Sequence, residues 1–172
     1  MIGNWLRVTP EELARAREDH NWAYELAQAQ AQADDGRHGS TDKAWQALEF
    51  LLDRYGITVP VVTGGPLLAA PADDPPEGFD WDEFVETHDW GYGPPTYLKP
   101  EHVVEVANAL AGVTEADLVR GVDPAELTAA DIYPLIWDRD NQLEWVAHYL
   151  PYARAFFADA AKAGDAVICW ID

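Results

Sequence analysis

A chain of 172 residues, 48% hydrophobic and 24% charged, has the length of one domain with a sizeable core and the composition of a globular protein, not a disordered one. Its 31 acidic residues against 11 basic ones give a net charge of −20. That balance excludes binding to nucleic acid through neutralised phosphates and disfavours an anionic membrane surface. It suits solubility by self-repulsion, or attraction to a basic protein partner. No stretch nears the roughly 20 apolar residues of a membrane span, and the N-terminal MIGNWLRVTPEE lacks a basic start and apolar run, so a cytoplasmic protein is expected. The one cysteine, Cys169, allows no internal disulfide and reads as a small buried hydrophobe.

In chain order, IGNWLRV (Ile2–Val8) alternates, with Asn4, Leu6 and Val8 on one face and Trp5 and Arg7 on the other, which predicts a strand. TPEE then starts a helix: Thr9 caps it, Pro10 takes the first position and Glu12 completes a capping box. The periodicity stumbles at Glu18–Trp22, where a break is expected. AQAQAQA (Ala27–Ala33) mimics a strand, but Ala and Gln favour a helix. Asp34–Ser40 reads as a loop. Ser40–Gly56 is the cleanest helix pattern, with Thr41 as cap, Ala44, Leu48, Leu51 and Tyr55 on one face, Trp45 and Leu52 beside it, and Gly56 closing it.

ITVPVVTGG (Ile57–Gly65) reads as a strand, with Pro60 at its start or on an edge. The Pro- and acid-rich stretch from Pro66 to Asp89 predicts a long irregular loop. TYLK is a short strand, Pro100–Gly112 an amphipathic helix, and Thr114–Asp140 a run of short helical pieces. A final helix over Asn141–Ala163 carries two apolar stripes and is expected to kink at Pro151; Gly164 ends it, and AVICWID is the last strand. Fold class is therefore α+β: one domain over 1–172, a small mixed or antiparallel sheet of about four strands packed with several helices.

Chemistry-bearing motifs are scarce. The five histidines show no metal-ligand spacing, and no metal or cofactor is expected. In ETHD, His88 and Asp89 are the candidates for proton transfer. VTGGPLL lacks the Lys-Ser/Thr of a phosphate loop and the third glycine of a dinucleotide fingerprint. Lys43, in the first turn of its expected helix, opposes the helix dipole, and Arg7 sits on an otherwise apolar strand; both call for an acidic partner or an anionic ligand. DWGYGPPTYLK (Asp89–Lys99) sets aromatic rings among glycines and prolines, a stiff joint suited to forming a site wall.

IGNWLRVTPEEL, TDKAWQALEFLL, GYGPPTYLKPEHV, IYPLIWD and AVICWID, in this order, resemble the YfbM-like bacterial family, domain of unknown function 1877. The resemblance implies a compact α+β fold and no established activity. Its pattern falls here on Gly3, Arg7, Lys43, Trp45, Gly64, Gly65, Gly91, Tyr92, Gly93, Pro94, Tyr97, Tyr133, Pro134, Trp137 and Asp138. Together these readings favour a non-enzymatic binding or interaction protein, one variant being an acidic inhibitor or immunity-like partner of a basic protein, that uses Arg7, Lys43, Trp45, Tyr92, Tyr97, Tyr133 and Trp137. The alternative is a small-molecule hydrolase or transferase, with Arg7 or Lys43 holding an anionic substrate and His88 or Asp89 moving a proton.

Overall fold

A computed structural model describes residues 1–33, 35–69 and 77–172. Four strands, β1 (Gly3–Val8), β2 (His38–Asp42), β3 (Thr96–Leu98) and β4 (Ala166–Ile171), form one sheet in the order β2-β1-β4-β3 with every neighbouring pair antiparallel. β1 and β4 hold the centre, with Gly3 opposite Ile171 and Val8 opposite Ala166. Both faces of the sheet are covered, which is why its central strands read as nearly continuous apolar runs.

On one face, Leu6, Val8, Ile168 and Trp170 meet α1 (Pro10–Glu18) and α2 (His20–Ala33) through Leu13, Ala16, Ala23 and Ala27. The Thr9–Glu12 capping box forms, and α1 stops at Glu18, where the periodicity fails. On the other face, Trp5 is fully buried against Phe156 and Phe157, with ring centroids 5.3 and 5.2 Å away. This larger core is built from α3 (Trp45–Tyr55), α5 (Pro100–Leu110), the short α6 (Glu115–Val119) and α7 (Pro124–Ala129), α8 (Gln142–Ala147) and α9 (Tyr149–Ala163). Gly56 and Gly164 close α3 and α9 in the left-handed conformation.

Several local expectations are corrected. The Asp34–Ser40 loop includes the start of β2, whose polar HGSTD carries no strand pattern; Gly39 is there because Phe156 packs on it, and a Cβ would lie 2.9 Å from that ring. Helix α3 starts at Trp45, not Ser40, and Thr41 does not cap it: its buried hydroxyl donates to the Gly3 carbonyl instead. Ile57–Gly65 is no strand. The Trp5 indole donates to the Val61 carbonyl at 2.9 Å, the Thr96 hydroxyl donates to the Thr63 carbonyl at 2.6 Å, and the Thr63 amide donates to Glu49 at 3.0 Å. Side chains thus satisfy backbone groups that a ladder would have satisfied.

Part of the expected loop at 66–89 is also helical: Asp80 caps α4 (Trp81–His88) by accepting from the amides of Asp82 and Glu83. Residues 70–76 of that loop lie outside the described residues. The expected kink at Pro151 gives way to a boundary at His148. Pro151 then falls in the first turn of α9, where its missing N–H has no intrahelical role. None of the described helices is long and apolar enough to cross a membrane.

Candidate functional site

Helix α3 leaves β1 at very close quarters. A Cβ on Gly3 would lie 2.5 Å from the Trp45 Cβ, so only glycine lets the first turn of α3 sit against the strand. From there Trp45, Glu49 and Asp53 recur at every fourth position and project along one side of the helix. They face the irregular segment Ile57–Thr63, and the two walls enclose a cleft of about 400 Å³. Phe50, Ile57, Val59 and Pro60 give it an apolar lining, and no Lys, Arg or His lines it.

Glu49 is the polar centre of the cleft. Its Oε2 accepts from the Thr63 amide at 3.0 Å and its Oε1 accepts from the Thr63 hydroxyl at 3.1 Å. Burial pushes its carboxyl above the ordinary range, and the Thr63 hydrogen bonds pull it back only in part. Its charge also reaches Cys169. Burial first and then Glu49 push that thiol far above its usual range, so Cys169 is an inert group in the core. Trp45 lines the same cleft, and its buried indole N–H has no hydrogen-bond partner among the described residues. An unpartnered buried donor is costly unless something occupies it. Gln46 ties the floor to the 132–137 segment: its Oε1 accepts from the Tyr133 amide at 2.8 Å. The cleft is thus shaped for an apolar body carrying a positive or hydrogen-bonding tip.

The candidates named from the sequence do not gather in one place. Trp45 lines the cleft, and Tyr133 sits beside it. Tyr92 is exposed at the neighbouring hollow lined also by Thr63, Thr96 and Cys169, with its amide on the Ile171 carbonyl. Lys43 is exposed and follows Asp42, the residue opposite Gly3, so it lies at this same end of the sheet. Arg7 lies opposite Val167, four positions along β4 from Ile171, or about 13 Å away. It is already paired there, with Asp165 Oδ2 at 2.9 Å. Tyr97 and Trp137 are buried core residues. The Arg17 guanidinium lies 5.3 Å over the Tyr97 ring, and the Trp137 indole donates to the Ile132 carbonyl at 2.6 Å.

His88 and Asp89 each bond a nearby backbone group. His88 Nδ1 donates to the Phe84 carbonyl at 2.8 Å, and Asp89 Oδ1 accepts from the amides of Gly91 and Gly93 at 2.7 Å. The Asp89–Lys99 stretch is thus the stiff joint its glycines and prolines suggest. Arg7, Lys43, His88 and Asp89 do not line the α3 cleft. Among the described residues, no group of three or more His, Cys, Asp and Glu is placed to hold a metal ion.

Glu49 and Asp53 were missing from the sequence candidates. The available signal was their four-residue spacing from Trp45 on a helix whose opposite face is the apolar one.

No curated protein matches this chain. Among solved structures, it is similar to YfbM from Escherichia coli, a protein described as of unknown function. The TM-score is 0.60 at 15% identity, with all of both chains covered. That likeness concerns the fold. A family model, the domain of unknown function DUF1877, matches residues 1–170, and the chain belongs to that family.

Proposed function

We propose that this protein is a non-enzymatic recognition protein for a basic partner, and that the α3 cleft seats a cationic side chain of that partner. The observation that carries this reading is the Glu49 carboxylate, held by Thr63 at the centre of an apolar cleft with Asp53 on the same side of the helix and no cation lining it. A lysine or arginine suits such a site because its aliphatic stem buries along apolar walls while its charged head reaches an acid. Trp45 adds an aromatic wall. The overall charge of −20 would speed encounter with a basic surface and make binding weaken with salt.

The test follows the indole N–H resonance of Trp45 while N-acetyl-lysine amide, N-acetyl-arginine amide or the neutral N-acetyl-norleucine amide is added. Saturable movement is expected with the two cations, reduced by salt and by Glu49→Gln, and absent with norleucine. Equal movement with norleucine, or none with any of the three, would overturn the reading.

A further inference from the structure

A second buried donor without a partner lies away from the cleft, at His20 Nδ1. The Trp90 indole N–H donates to His20 Nε2 at 3.2 Å. Indole only donates, so Nε2 holds the lone pair and Nδ1 the proton: this hydrogen bond requires a neutral ring. The His88 ring meets His20 edge-on, with centroids 4.7 Å apart, and stacks on Phe84 at 4.3 Å. His88 sits in the last turn of α4, a helix with no buried residue. Its side-chain hydrogen bonds are all within α4 or to its own cap, and none reaches another element among the described residues. The His20–His88 contact joins α4 to α2.

We propose that the His20–His88 pair is an acid-sensitive latch, whose protonation frees α4 from α2 while the sheet stays folded. Protonating His20 places a hydrogen on Nε2, facing the Trp90 N–H, so that bond must break. Protonating His88 leaves its bond to Phe84 intact but sets a positive charge against His20. Both events oppose docking, and burial together with the nearby His88 already lowers the His20 pKa.

Among the described residues, no carboxylate makes a hydrogen bond or ion pair with His20 or His88, and those on the neighbouring segments keep their charge but bond elsewhere. Asp19 Oδ1 accepts from the Trp22 amide, Asp89 Oδ1 from Gly91 and Gly93, and Asp172 Oδ2 from the Trp170 indole; Tyr24 packs by its ring on Trp90. Glu86, exposed on α4, is the remaining carboxylate near His88 in the chain.

Hydrogen-exchange protection factors, corrected for intrinsic rates, test this at pH 7.5 and 5.5. The amides of residues 84–88 should lose protection severalfold, up to about tenfold at pH 5.5 for a free His20 pKa of 6.5, while β1 and β4 keep theirs. His88→Phe, which keeps an aromatic ring on Phe84, and His20→Gln, whose Oε1 can accept from Trp90, should each make α4 protection independent of pH. Unchanged α4 protection in the wild type, loss shared equally with β1 and β4, or a loss that persists in His88→Phe would overturn the latch.

Discussion

Trp5 donates its indole N–H to the Val61 carbonyl at 2.9 Å, and this bond ties the central strand to the far wall of the cleft. Trp5→Phe would leave that buried carbonyl unpaired and open space beside Phe156 and Phe157. A loss of about 2–4 kcal/mol is expected from the two effects together. Urea unfolding should show it as a lower midpoint with an unchanged slope; a loss below about 1 kcal/mol would mean Val61 is held by other contacts.

Glu49 gives a pH dependence of definite sign. Its folded pKa lies above the ordinary 4.5, so the folded protein holds this proton more tightly than the unfolded chain does. Stability from this group is therefore greatest below 4.5 and falls as pH rises through the window between the two values. Glu49→Gln removes the titration, and its amide can accept from the Thr63 N–H while donating to the Thr63 hydroxyl. The variant should be within about 1 kcal/mol of wild type at neutral pH, on the stabilising side, with its advantage shrinking as pH falls. A stability difference that stays constant between pH 4 and 8 would contradict the assignment.

Gly3→Ala tests the close approach that sets the cleft. The new methyl would meet Trp45 Cβ at 2.5 Å, Thr41 Oγ1 at 2.6 Å and Val62 Cγ1 at 2.9 Å, so α3 or the 61–63 segment must move. A destabilisation of about 1–3 kcal/mol is expected, with a shift of the Trp45 indole resonance. A variant as stable as wild type, with that resonance unmoved, would show that the site absorbs the methyl without changing shape.

Arg7→Met separates the two sides of the sheet. Its ion pair with Asp165 is largely but not fully buried, at 19% and 16% side-chain exposure, so breaking it should cost about 1–2 kcal/mol, between the exposed and buried limits. Binding of N-acetyl-lysine amide at the α3 cleft should be unchanged, because Arg7 is at the other end of its strand. A variant that loses that binding would return Arg7 to the site.

What could be read from the sequence follows a physical divide. The Thr9–Glu12 box, Gly56 and Gly164 were legible because their partners lie within a few residues. The strand at His38–Asp42 was not, since its existence depends on pairing with Asn4, Trp5 and Leu6 and on the Phe156 ring that fits only over a glycine. Ile57–Gly65 has strand composition, yet Trp5, Thr96 and Glu49 claim its backbone groups. The Asp80 cap of α4 was hidden in a Pro- and acid-rich context. For the site, Trp45 was legible as an aromatic on a helix start. That Arg7 called for an acidic partner or an anionic ligand was legible; which of the two was not, because Asp165, its partner, is distant in sequence.

The pairing of Gly3 with Ile171 and Val8 with Ala166 sets an order of events during synthesis. β1 precedes β4 by nearly the whole intervening chain, so its backbone groups on that edge stay unpaired until β4 is made. Such long-range closure carries an entropy cost that slows folding. The two central strands thus bring together residues that lie more than 150 positions apart in the chain.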